Sequence, residues 1–116
     1  MKRGDIYWAS LAPRSGSEQQ GTRPVIIVSH DGFNQAPGWR SVIVVPVSTS
    51  SAQARRGPTV VPLSAGVGGI PKDSVALCHQ VTTLDRSKLT SQIGELSESL
   101  LNAIGEALKI AQGLLS

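Results

Sequence analysis

A chain of 116 residues, 40% hydrophobic and 16% charged, has the size and balance of one domain around one core, which excludes long disordered stretches. No apolar run approaches the about 20 residues that cross a bilayer as a helix. A single cysteine, Cys78, can neither close an internal disulfide nor build a multi-cysteine metal site. The start, Met1-Lys2-Arg3-Gly4-Asp5, runs straight into strand-like sequence without the apolar core of a signal peptide, so a cytoplasmic protein is expected. The net charge of +3 is unevenly spread: residues 1–60 hold seven Lys/Arg against three Asp/Glu, and residues 61–116 hold four against five. A basic first half attracts phosphates, although a domain of this charge is more often simply a soluble one.

In chain order, Ile6-Tyr7-Trp8-Ala9-Ser10-Leu11 reads as a strand, ended by Pro13 and a turn-rich loop that runs to Gly21. Pro24-Val25-Ile26-Ile27-Val28-Ser29 and Val42-Ile43-Val44-Val45-Pro46-Val47 are nearly continuous β-branched runs. That is the pattern of strands buried on both faces or closing a small barrel. Pro46 places the second run at an edge or a bulge. Residues 31–40 and 48–57 are polar connections. Thr59-Val60-Val61-Pro62-Leu63 is a short strand, residues 64–73 a glycine-rich loop, and Val75-Ala76-Leu77-Cys78-His79-Gln80-Val81-Thr82 a further strand.

In the tail, Leu100, Leu101, Ile104, Leu108, Ala111 and Leu115 recur at intervals of three and four. This predicts one amphipathic helix with Ser97 as N-cap and Gly113 as its stop. The expected fold is therefore mainly β with a C-terminal α-helix. It is a small, mostly antiparallel β-barrel with the helix packed on it, in a single domain over residues 1–116.

The chain has no P-loop, dinucleotide-binding glycine motif, nucleophile elbow or paired-histidine metal motif, which leaves phosphate chemistry without a metal. Arg23, just before Pro24, is held extended at the mouth of a buried strand, a position that suits a phosphate and equally suits a plain surface arginine. The hydroxyls of Ser48, Thr49, Ser50 and Ser51 either donate to phosphate oxygens or solvate a turn. Arg55 and Arg56 either grip a nucleic-acid backbone or are solvated charges. His30 and His79 are the chain's two histidines, the residue type suited to proton exchange, and a lone strand histidine is usually structural. Glu18 lies in a glycine-flanked loop between Arg14 and Arg23. It pairs with an arginine, transfers a proton or is merely solvated.

Several of these residues stand in ordered motifs. Lys2-Arg3-Gly4-Asp5-Ile6-Tyr7, Gly16-Ser17-Glu18-Gln19-Gln20-Gly21-Thr22-Arg23-Pro24-Val25, Val44-Val45-Pro46-Val47-Ser48-Thr49 and Gln80-Val81-Thr82-Thr83-Leu84-Asp85 follow one another at matching spacing. From Arg3 to about Leu89 the chain resembles the MazF/PemK (Kid) toxins of type II toxin-antitoxin systems. The resemblance implies a barrel of the MazF/Kid/CcdB type, similar to the Src-homology-3 fold, in a homodimer whose groove binds single-stranded RNA. It implies a sequence-specific endoribonuclease that needs no metal or cofactor and cuts mRNA. The ribose 2′-OH attacks the adjacent phosphorus, leaving a 2′,3′-cyclic phosphate and a 5′-OH. It also implies a cognate antitoxin whose acidic, partly disordered tail covers the basic groove.

Residue by residue, Arg23 matches the family's catalytic arginine, and Ser48 stands where many members have a catalytic Thr, with Thr49 able to share the role. Glu18 matches the acid of the signature loop. Ser17 occupies a position that is His in the Kid branch, and His79 one that is Asp or Glu where that carboxylate is a proposed base. His79 is accordingly a candidate general base. Ser17, Gln19, Arg40, Arg55, Arg56 and Gln80 are candidate RNA contacts, and Trp39 or Phe33 could stack on an unpaired base. Two alternatives stay open: a non-enzymatic, CcdB-like toxin that binds a protein target, and an RNA-binding module without turnover.

Overall fold

A computed structural model describes residues 1–11, 21–50, 52–55 and 57–115. Among them, seven strands form one sheet: β1 (Asp5–Leu11), β2 (Gly21–Ile27), β3 (Ser41–Ser48), β4 (Val60–Leu63), β5 (Ser74–Leu77), β6 (Thr82–Asp85) and β7 (Leu89–Glu95). A short helix, α1 (Asp31–Asn34), interrupts the connection from β2 to β3, and a long one, α2 (Glu98–Ala111), ends the chain. The pairings are antiparallel throughout, in the order β4-β5-β3-β2-β1-β7, with β6 on β3. Among the described residues β4 and β7 end this path unpaired with each other, so the barrel-like antiparallel sheet expected is not closed here.

β2 and β3 are apolar without alternation because both of their faces are buried. On one face Ile26, Val45 and Val47 pack with Ile70, Cys78 and the α2 residues Ile104 and Ala107. On the other, Val25, Ile27, Val42 and Val44 meet Ala9, Leu11 and Leu84. Burying each such side chain contributes about 1.5–3 kcal/mol, so the central strands dominate the fold's stability. Helix α2 forms where the three–four spacing predicts it. Ser97 caps it through its Oγ, which accepts from the Leu100 N–H, and Gly113 at φ 75° turns the chain out of it.

Two further expectations change. The strand expected over residues 75–82 is two strands. The chain leaves the edge of β3 at Leu77, makes a 3-10 turn over Cys78–Gln80 and returns to β3 as β6. Pro46, expected at an edge or a bulge, lies in a central strand, paired to Val25 of β2. The Val28 N–H donates to the Ile43 carbonyl, so the even-numbered backbone groups of β3 point away from β2. On that side β6 pairs up to Val44 and β5 begins at Val47, leaving Pro46 in the gap where no ladder bond is missed.

Candidate active site

The ladder between β2 and β3 stops at Val25–Pro46, although both strands continue past it. Next in register are Pro24 and Val47, and Pro24 has no N–H to donate across the gap. From that point β2 stays with β1, where Arg23 pairs Ala9, while β3 turns to β5, where Ser48 pairs Val75. The strands splay, and a cleft of about 310 Å³ opens between their ends.

Its lining follows the strand order. Trp8 comes from β1, then Thr22, Arg23 and Pro24 from β2, Val47 from β3 with Thr49 just past its end, and Ser74 with Ile70, Pro71 and Lys72 from β5 and the loop before it. Arg23 is exposed, and its Nη1 donates to the Thr22 carbonyl at 3.3 Å. Among the described lining residues there are two cations, Arg23 and Lys72, and no carboxylate, so the cleft is a place for an anion. A second hollow of about 210 Å³ adjoins it, sharing Thr49 and Ser74 and adding Ser48, Ser50 and Asp73.

The two candidate hydroxyls are placed differently. Ser48 is 5% exposed, and its Oγ accepts from the Ser50 N–H at 3.0 Å, which fixes the turn that leaves β3. Thr49 is exposed and lines the cleft with Arg23. Asp73 accepts from the Ala65 N–H at 2.8 Å, closing the loop that carries Lys72.

His79 is not brought to this cleft within the chain. It sits in the 3-10 turn at the opposite end of β5 from Ser74, half-buried, with Nδ1 3.2 Å from Thr59 Oγ1. Gln80, beside it, is also half-buried. Arg40 is at the other end of β3, paired to Asp85 at 2.9 Å, and Arg55 is exposed in a 3-10 turn that contacts β4 and β5. Phe33 of α1 and Trp39 of the loop before β3 stack on one another with centroids 4.8 Å apart, both nearly half exposed. Ser17, Glu18, Gln19 and Arg56 lie outside the described residues. Among the described residues no three of His, Cys, Asp and Glu come together as metal ligands, and no helix is long and apolar enough to cross a membrane.

Sequence reasoning missed Trp8, Lys72 and Ser74. Only the pairing of β5 beside β3 brings Ser74 and Lys72 to the cleft, and no local motif announces it.

The family of PemK-like, MazF-like toxins of type II toxin-antitoxin systems matches residues 2–111. The chain is 36% identical over 115 residues to endoribonuclease EndoA of Bacillus subtilis, covering 99% of this chain and 97% of that protein. It is 37% identical over 114 residues to endoribonuclease MazF of Staphylococcus epidermidis, covering 98% and 92%. Its fold is similar to that of an endoribonuclease solved in complex with its cognate antitoxin from a mycobacterial species, at a TM-score of 0.79 and 25% identity, over 100% of this chain and 98% of that one. The family match over nearly the whole chain and the relatives of 36% and 37% identity agree, and the chain belongs to the PemK-like, MazF-like toxin family.

Proposed function

We propose that this protein is the toxin of a type II toxin-antitoxin pair and a metal-independent, sequence-selective endoribonuclease that cuts single-stranded mRNA. The carrying observation is the placement of Arg23 and Thr49 together in a carboxylate-free cleft where β2 and β3 part.

In the reaction the ribose 2′-oxygen forms a bond to the adjacent phosphorus and the bond to the 5′-oxygen breaks, leaving a 2′,3′-cyclic phosphate and a 5′-OH. One proton leaves the 2′-OH and one reaches the 5′-oxygen. The chemistry needs fixed positive charge at the phosphorane, and Arg23 supplies it with a planar fork of N–H donors. Thr49 donates its hydroxyl to a phosphate oxygen, while Ser48, committed to the Ser50 N–H, holds the turn. Glu18 is the proton-transfer candidate, since His79 lies at the far end of β5 from the cleft of its own chain. Ser17, Gln19, Arg40, Arg55, Arg56 and Gln80 contact the RNA outside the reacting phosphate.

A cognate antitoxin with an acidic tail suits the same cationic cleft and would cover Arg23. The active form is a homodimer.

The test is incubation with a long structure-poor RNA in EDTA, with fragment ends mapped by primer extension and end-group chemistry. Cuts at a short recurring sequence with cyclic phosphate ends are expected, slowed about 100- to 1000-fold in Arg23→Ala. Intact RNA with the wild-type protein would overturn the proposal.

A further inference from the structure

We infer that Lys72 is a second phosphate-gripping residue of the cleft, holding the phosphate next along the strand from the one at Arg23. The inference rests on the nucleic-acid reading of that cleft.

Strand order puts Arg23 of β2 on one flank, Thr49 at the end of β3 in the middle, and Lys72, two residues before Ser74 of β5, on the other flank. A single strand laid across these ends meets a cation, a hydroxyl and a second cation in turn. Scissile chemistry requires one phosphate to be held in line, and gripping its neighbour restricts the chain's rotation about it.

Lys72 also differs from an ordinary surface lysine in how its backbone is held. Its carbonyl accepts from Ser74 Oγ at 2.8 Å, and Pro71 before it fixes the entering backbone. The loop over residues 64–73 is closed by the Gly66 N–H to the Ile70 carbonyl at 2.7 Å, and Ile70 is 1% exposed in the core. Gly68 and Gly69, at φ 57° and 81°, lie against the backbone of Ile93, Gly94 and Glu95 in β7. The loop is thus pinned at both its middle and its end, and the ammonium is delivered from a fixed base, so less entropy is lost when it meets an anion.

The experiment measures binding of a short random-sequence single strand carrying 2′-fluoro in place of each 2′-hydroxyl, by fluorescence anisotropy over a range of salt. Wild type, Lys72→Gln, Lys72→Arg and Lys109→Gln are compared, each checked for wild-type thermal unfolding, with cleavage of unmodified RNA run alongside. Lys72→Gln is expected to weaken binding about tenfold at low salt and to reduce the slope of log Kd against log salt by about 0.7, one phosphate on a single strand. Lys72→Arg restores both, and in cleavage Lys72→Gln raises KM more than it lowers kcat. If Lys72→Gln matches Lys109→Gln in affinity and slope while cleavage persists, the Lys72 contact is overturned and the nuclease stands. A Lys72-dependent slope without cleavage by wild type keeps the contact and removes the nuclease. No binding by wild type overturns both.

Discussion

His79 Nδ1 lies 3.2 Å from Thr59 Oγ1, and both residues sit in 3-10 turns that pack against α2. β5 runs from Ser74, at the cleft, to Leu77, next to this pair, so about 10 Å of strand separates the two regions. A side chain so placed cannot reach a 2′-OH held between Arg23 and Thr49 of its own chain. Cleavage by His79→Ala is therefore expected to follow the wild-type rate profile from pH 5 to 8, with about 1 kcal/mol lost from stability. A rate loss of about 100-fold or more would return the histidine to the role of general base.

Arg86 ties the loop over residues 31–40 to the sheet. Its Nη2 donates to the carbonyls of Phe33 and Asn34 at 2.8 and 2.7 Å, and its Nε donates to the carbonyl of Trp39. The stacked Phe33–Trp39 pair is presented by that fork. Arg86→Lys cannot reproduce three donors in one plane, so it should cost about 2 kcal/mol in thermal or urea unfolding and raise hydrogen exchange across residues 31–40. Unchanged exchange in the loop would show that the stack holds itself.

The turn at Asp85 carries a pH signature. Its carboxyl accepts from the Ser87 N–H and bonds the Ser87 hydroxyl, and then pairs with Arg40. Together these hold its pKa at about 2, below the ordinary 3.8. Because the folded value is depressed, the contribution is full above about 4 and is lost as pH falls through about 2. An NMR titration of the Asp85 side chain should give a midpoint near 2, raised more by Ser87→Ala than by Lys88→Ala. A midpoint at 3.8 in the wild type would mean that the Ser87 bonds do not persist in solution.

Much of this fold can be read along the chain. β1 to β4 are runs of β-branched and apolar residues, and α2 carries its own cap and stop. β7 cannot be read so, because Leu89-Thr90-Ser91-Gln92-Ile93-Gly94-Glu95 pairs only with β1 and shows little apolar alternation. The break at Cys78–Gln80 is equally silent: these residues suit a strand, and the turn arises because β3 offers its free edge to β6 after β5 has left it. At the site, Arg23 and Ser48 stand out by motif, with Thr49 beside Ser48, but that Thr49 rather than Ser48 lines the cleft with Arg23 is not legible there. Trp8 and Lys72 do not, since their neighbours are set by strand order, which no local pattern encodes.

Cys78 is fully buried, and burial pushes its thiol up to about 12. The thiolate that alkylating agents require is thus nearly absent at neutral pH. The native protein should remain unlabelled by iodoacetamide at pH 8 on a timescale that labels the urea-unfolded chain fully. Rapid native labelling would reveal an opening of the core between β5 and α2.

Gly94 decides how closely the loop bearing Lys72 can approach the sheet. A Cβ there would run into the Gly68 carbonyl, oxygen and carbon alike, and a Cβ on Gly69 would stand 2.7 Å from the Ile93 carbonyl oxygen. Both obstacles are backbone, so neither can rotate aside as a side chain would. Gly94→Ala must therefore lift the Val67–Gly69 turn off β7, at a cost of about 3 kcal/mol. Because Ile70, Pro71 and Lys72 follow directly, the far wall of the cleft moves with it. The expected result is a lower midpoint of thermal unfolding together with a raised KM for RNA, Arg23 and Thr49 being untouched. A normal midpoint with a normal KM would mean that the glycine contact is not what holds the wall. A lowered midpoint with unchanged KM would mean that Lys72 reaches the RNA without needing the loop's support.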